Sequence, residues 1–311
     1  MLSNLLIVLP IFALVLIGWM ARRYGALGPA ATRELNRLVV YLALPTLLFD
    51  IMATAPRAEV WQPGFILAFM LGNIIVFAIT IWFRMRQGSL LADAAIDGLN
   101  ASYANVGFIG FPLVLVVIGE QGLVLTLIAT ILTACVHFAF AIVLIECGLQ
   151  SSARGRDIAW KTLRALAKNP LVIAPVLGAV VLLSGWTLPE PVGRLTALLG
   201  GAAAPCALIT LGVFLAGSGQ SKVKIRWSVT SLLVFLKLIV QPALTWLIAG
   251  PILGLSPLAV HTAVLLAALP TGAGPFMLAE LHGREAALTG RVILITTVLS
   301  TVTLSAYLGF A

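Results

Sequence analysis

Ala268-Leu269-Pro270-Thr271-Gly272-Ala273-Gly274-Pro275-Phe276 interrupts an apolar stretch of roughly 25 residues that is otherwise long enough to cross a bilayer as one helix. Proline lacks the N–H of the helical ladder and crowds the carbonyl four residues earlier, so Pro270 and Pro275 release the carbonyls of Leu266 and Thr271. Gly272 and Gly274 loosen the backbone between them. Freed backbone groups in hydrocarbon need a partner, so such a break survives only where protein or a water-filled cavity surrounds it. Half a chain earlier, Asn105-Val106-Gly107-Phe108-Ile109-Gly110-Phe111-Pro112 carries a similar break. Two interrupted spans at matching positions of two halves point to the binding site of a secondary transporter.

The surrounding chain fits that setting. Of its 311 residues 61% are hydrophobic and 10% charged, and the mean hydropathy is +1.10, far from a soluble globular domain. Apolar runs of about 17 to 25 residues divide it into ten expected spans: 3–20, 31–52, 64–83, 93–118, 122–146, 170–185, 194–216, 228–250, 257–279 and 288–309. The fold class expected is therefore an all-α integral membrane protein. Trp19, Trp61, Trp82, Trp186 and Trp227 fall at span ends, where amphipathic rings favour the interface. The first span has no basic residue before it and no small-residue cleavage pattern after it, so it reads as a span and not as a signal peptide. Cys135, Cys147 and Cys206 show no paired spacing, which argues against a disulfide or a zinc site.

Charge sets the orientation. Of the 19 lysines and arginines, 16 lie in or beside loops that follow odd-numbered spans, Arg57 and Arg194 alone lie in even loops, and Lys237 lies inside a span. Basic loops stay in the cytoplasm, so both termini are expected outside, on the periplasmic face of a cell inner membrane. The net charge of +8 is thereby explained by topology, and nucleic-acid binding is not expected. The longest hydrophilic stretch, 150–169, separates spans five and five as a basic linker, with Ile158, Leu163 and Leu166 available to rest on the membrane surface. Residues 1–149 and 170–311 echo one another: spans 2 and 7 carry mid-helix Pro45 and Pro205, spans 4 and 9 the glycine and proline breaks. Because five is odd, the second copy enters the membrane from the opposite side, giving an inverted repeat.

The motifs carry a resemblance. Leu35-Asn36-Arg37 with Ala43-Leu44-Pro45 and Leu47-Leu48-Phe49, Asn105 with Gly110-Phe111-Pro112, and Ala268-Leu269-Pro270-x-Gly272-x-x-Pro275-Phe276 resemble the auxin efflux carrier family, along essentially all ten spans. That family includes the plant PIN proteins and bacterial carriers assigned to malonate, and its architecture is that of the bile acid and arsenite transporter superfamily. The resemblance implies a scaffold of spans 1, 2, 6 and 7, a transport domain of spans 3 to 5 and 8 to 10, and a crossing of spans 4 and 9 at their breaks. It also implies elevator-like movement, a carboxylate or auxin-like acid as substrate beside the crossing, and a homodimer. By position Asn105 and Pro112 match the crossover of span 4, and Pro270, Gly272 and Pro275 that of span 9. In the family it resembles, many bacterial members place an asparagine where this chain has Gly274, so the resemblance does not carry substrate identity over.

The residues expected to line a substrate site are Asn105, Gly107, Gly110, Pro112, Pro270, Thr271, Gly272, Gly274 and Pro275. Asn105 lies about 18 Å along a helix from Asp93 at the cytoplasmic interface, which puts its amide near the midplane. There it either bonds substrate or repairs the break by capping a freed backbone group. Helices restarting at Pro112 and Pro275 offer free N–H groups and a positive dipole end to an anion, while the carbonyl ends of the preceding half-helices favour a cation. Break geometry alone leaves the sign open; the resemblance tips it toward a carboxylate.

Four further residues are candidates for coupling or charge balance. Lys237, deep in span 8, either balances an anionic substrate or coupling ion or serves as a counter-charge to a carboxylate or freed carbonyls. Asp97 and Asn100 continue a stripe from Asp93 on the cytoplasmic half of span 4. Asp97 is a candidate protonatable group, and an interfacial pairing with Arg84 or Arg86 is the plain alternative for Asp93. His137 is either a proton relay or a helix-to-helix hydrogen bond. No catalytic or metal-ligand constellation stands out, so an enzyme is not expected, nor a cofactor, although coupling to H⁺ or Na⁺ stays open. The expected partners are the bilayer, a small organic anion and a second copy of the chain. A sodium-coupled symporter of the bile-acid type is the alternative; it calls for acidic or amide side chains at both breaks, and the span 9 break has none.

Overall fold

The computed structural model describes residues 2–56, 61–149, 160, 164, 167–218 and 227–310. Most of the expected linker, with Arg154, Arg156, Ile158, Lys161, Leu163 and Leu166, lies outside the described residues, as do Arg57, Lys222, Lys224 and Arg226. Helices account for the secondary structure, and among the described residues no strand forms beyond a single isolated bridge. In chain order they are α1 (Leu2–Arg23), α2 (Ala31–Ala53), α3 (Pro63–Arg86), α4 (Leu91–Ser102), α5 (Phe111–Val117), α6 (Glu120–Leu149), α7 (Pro170–Ser184), α8 (Glu190–Gly217), α9 (Trp227–Ile252), α10 (Pro257–Ala267), α11 (Gly274–Leu281) and α12 (Ala286–Phe310). Of these α2, α3, α6, α8, α9 and α12 are long and apolar enough to cross a membrane.

The two expected breaks are where two helices end early. α4 stops at Ser102 and α10 at Ala267, and after each break a short helix restarts with proline at its second residue, Pro112 in α5 and Pro275 in α11. Proline is tolerated there because a first-turn N–H has no intrahelical partner to lose. Elsewhere α2 and α9 place a wider π turn ahead of a proline, at 39–43 before Pro45 and at 236–240 before Pro242.

Small residues set which helices touch. A Cβ added at Gly18 of α1 would sit 2.2 Å from the Ile209 carbonyl oxygen of α8, and one at Gly212 would sit 2.0 Å from that of Val15, so the two backbones meet directly. Gly178 of α7 lies against Phe49 of α2 in the same way, and Gly200 of α8 against Leu47. Without a hydrophobic drive between apolar helices, such close backbone approach is the main source of helix association in lipid. These contacts join α1, α2, α7 and α8 into one group. α3 packs against α4 and α9, where a Cβ at Gly72 would meet the Thr245 hydroxyl at 2.4 Å.

Candidate functional site

The breaks meet each other. Tyr103 to Asn105 and Pro270 to Gly272 run antiparallel, with the Asn105 N–H donating to the Pro270 carbonyl at 2.9 Å and the Gly272 N–H to the Tyr103 carbonyl at 3.0 Å. A two-bond bridge thus repairs backbone that helix geometry has given up. Glycine at 272 is needed because a Cβ there would lie 2.9 Å from the Tyr103 ring.

Several of the remaining freed groups are met by side chains or nearby backbone, as burial favours. At the end of α4 the Asn100 carbonyl accepts from the Thr271 hydroxyl (2.7 Å), and the Ser102 carbonyl from the Gln241 amide (2.9 Å). At the end of α10 the Leu269 N–H folds back onto the Leu266 carbonyl, so the group that Pro270 was expected to leave orphaned is satisfied. The Ala267 carbonyl is left instead, and the Lys237 ammonium donates to it at 2.7 Å. The Thr271 N–H donates to the Thr296 hydroxyl. Lys237 and Gln241, one turn apart on α9, therefore each hold the carbonyl end of one half-helix, and Gln241 also reaches Asn73 of α3 (2.6 Å).

On the opposite side of the bridge lies a cavity of about 50 Å³. Its walls are Val39, Leu44, Leu47, Leu48 and Ile51 of α2, Ala203 and Ala207 of α8, Thr130, Thr133 and Ala134 of α6, the stretch 103–107, and Ala273, Gly274 and Met277. The setting is mostly apolar with a few placed polar groups. Asn105 is one: its side chain makes no capping hydrogen bond, since the bridge and the α9 side chains have taken over the repair. Thr133 is another. It sits in a π turn at 132–137, and its buried hydroxyl has no protein partner among the described residues. The start of α11 supplies the third element, the N-terminal end of a helix at Ala273 and Gly274.

Of the residues expected from sequence, Asn105, Gly107 and Gly274 line this cavity. Pro270, Thr271 and Gly272 form the bridge behind it. Gly110 lets Leu266 of α10 approach, and Pro112 and Pro275 open their helices. Gly274 is tightly enclosed, since a Cβ there would lie 3.0 Å from the Phe138 ring and 3.1 Å from that of Tyr103. Lys237, Asp97, Asn100 and His137 are buried away from the cavity. Asp97 pairs with Arg84 at 2.6 Å, Asn100 donates to Thr289 (3.0 Å), and His137 meets the Ser102 hydroxyl at 2.9 Å. Asp93 pairs with Arg284, and this hydrogen-bonded carboxylate raises the Arg284 pKa above its usual value.

Tyr103, Thr130, Thr133 and Gln241 were not singled out by sequence reasoning. The signals for two of them were present, Tyr103 two residues before Asn105 and Gln241 one turn from Lys237. A second cavity of about 800 Å³ opens at the end of the bundle that carries Arg22, Arg33, Arg284 and Arg291, with Asp93, Glu280 and Glu285. Between the two, the Asn36 amide of α2 reaches the Met277 carbonyl at 3.5 Å, and the Phe214 and Phe276 rings meet edge to face at 5.2 Å.

An all-helical apolar bundle with a partly polar cavity beside paired helix breaks defines a multi-pass membrane transport protein. A family model described as "Membrane transport protein" matches residues 5–308, and the chain belongs to that family, the auxin efflux carriers. It is similar to the "Putative malonate transporter" of Rhizobium meliloti (strain 1021), 31% identical over 97% of this chain and 94% of the relative. It is also similar to the "Uncharacterized transporter YfdV" of Escherichia coli (strain K12), 28% identical over 84% of this chain and 83% of the relative. An uncharacterized transporter of Methanocaldococcus jannaschii is 24% identical over 94% of both chains.

Proposed function

We propose that this protein is a secondary carrier moving a small organic anion, a carboxylate such as malonate or an auxin-like acid, across the cell inner membrane. The observation that carries the reading is a division of helix ends. The carbonyl ends of α4 and α10 are occupied by Lys237, Gln241 and Thr271, whereas the N-terminal end of α11 lines the cavity beside Asn105. A helix N-terminus presents unbonded N–H groups and a partial positive charge, so the cavity favours an anion. The relative named as a malonate transporter agrees in substrate class.

The ten-span, inverted-repeat arrangement and the elevator mechanism belong to the same proposal. In their support, described helices run along each of the ten expected stretches, and the close glycine contacts group α1, α2, α7 and α8 apart from the helices that hold the crossing. The cavity lies between those groups, where relative sliding alters access. Both termini face the periplasm and the scaffold forms a homodimer. The carboxylates near the crossing do not favour the sodium-coupled alternative, since Asp97 is held by Arg84.

Binding to purified protein tests this reading. Malonate and other short carboxylates are expected to raise the thermal midpoint with saturating concentration dependence, and Asn105→Ala to weaken that binding about tenfold or more, the effect of losing one hydrogen bond to a charged group. Stabilisation by cationic or neutral analogues of the same size, and not by carboxylates, contradicts it.

A further inference from the structure

How much charge a ligand can carry beside the crossing is set by what surrounds it there. Among the described residues no lysine, arginine or histidine lines the cavity of about 50 Å³, and no carboxylate does. The positive group facing it is the start of α11, a helix end equivalent to about half an elementary charge. One carboxylate is matched by such an end together with neutral hydrogen-bond donors. A second is not, because the wall that α2 contributes is Leu44, Leu47, Leu48 and Ile51, and an unpaired charge against apolar side chains is strongly unfavourable.

Two threonines of α6 border the same space and differ in what they offer. The Thr130 hydroxyl donates to the Thr126 carbonyl of its own helix at 2.8 Å. Thr133, in the π turn, is 2% exposed, and its hydroxyl has no protein partner among the described residues. A buried hydroxyl left unbonded costs free energy, and it can donate to a carboxylate or accept from a protonated acid. Size sets a further limit. At about 10 to 15 Å³ of such volume per water the cavity holds about three to five waters, the room of an acid of about two to four carbons and not of an indole ring.

We propose that the cavity takes a short aliphatic carboxylate carrying a single negative charge, with Thr133 as a specificity-determining hydrogen-bond partner, so that a dicarboxylate enters only with one of its carboxyls protonated. The proposal rests on the anion-carrier reading and narrows it. A site for a dianion would need a cationic side chain at its wall, and a site for an aromatic acid more room than α2 and α8 leave.

The test measures ligand-induced thermal shifts of purified full-length protein at about pH 6, 7 and 8, with propionate, malonate, malonamate and indole-3-acetate as probes. Malonamate has the shape of singly protonated malonate but keeps one charge throughout this range. Propionate and malonamate are expected to bind with the same affinity at each pH. Malonate is expected to weaken about tenfold per pH unit as its singly charged fraction falls, and at the highest pH to bind at least about tenfold more weakly than malonamate. Thr133→Val, which keeps the shape and removes the hydroxyl, is expected to melt no lower than wild type without ligand and to bind propionate about tenfold more weakly. Malonate affinity that stays flat or rises with pH overturns the proposal. So does indole-3-acetate binding as tightly as propionate, or propionate binding that Thr133→Val leaves unchanged. Propionate binding without malonate binding at any pH supports it. Failure of all these acids to bind at any pH defeats the anion-carrier reading itself.

Discussion

At the residue scale, the candidates that sequence made legible are those whose chemistry is local. Proline and glycine punctuate a helix wherever they occur, so Asn105, Gly107 and Gly274 were identified from the breaks alone. Thr133 and Leu47 were not, because spans 2 and 5 are apolar on most faces and nothing local says which face turns to the crossing. Gly274 shows what the structure adds. The Tyr103 and Phe138 rings, tilted with centroids 5.4 Å apart, stand 3.0 to 3.2 Å from where a Cβ at this position would lie. Gly274→Asn is therefore expected to lower substrate affinity, and Gly274→Asn with Tyr103→Ala to recover part of it, as read by ligand-induced thermal shift. The Arg84 and Asp97 pair makes a second prediction. Both side chains are about 95% buried or more, so removing one partner strands the other, a loss of about 3 to 5 kcal/mol. Arg84→Met and Asp97→Leu are each expected to reduce the thermal midpoint sharply, and the double variant to lie much closer to wild type. A double variant as unstable as the worse single one would mean that the pair is not an isolated ion pair.

At the element scale, span limits were legible because hydropathy, end tryptophans and capping prolines agree. The described helices end within four residues of the expected limits. That the two breaks bond to each other as an antiparallel bridge was not legible, since nothing in either segment encodes its register with the other. The same holds for the direct contact of α1 with α8. Gly18 and Gly212 look like ordinary span glycines in sequence, yet each faces a carbonyl oxygen of the other helix. A methyl group there meets backbone, which cannot rotate away. Gly212→Ala is expected to cost about 1 to 3 kcal/mol through forced separation of the helices. Gly217→Ala, where an added Cβ meets nothing within 4 Å, serves as the control and is expected to melt like wild type.

At the scale of the whole molecule, loop charge and the pairing of motifs across two halves carried most of the reading. Neither could reveal that the carbonyl ends of the half-helices are occupied while a helix N-terminus is left at the cavity wall. That difference depends on the Lys237 and Gln241 side chains reaching across from another helix. It is what tips a break of undecided sign toward the anion proposed above. If an anion moves alone, membrane potential suffices to drive it, one charge across 100 mV being worth about 2.3 kcal/mol. The most direct test is uptake into proteoliposomes of purified protein with labelled malonate and a panel of other carboxylates, cations and neutral solutes, varying potential, pH and sodium separately. At least one carboxylate is expected to accumulate under an inside-positive potential, with uptake unchanged when choline replaces sodium and strongly reduced by Asn105→Ala. Transport of cations or neutral solutes with no carboxylate moving under any condition would contradict it.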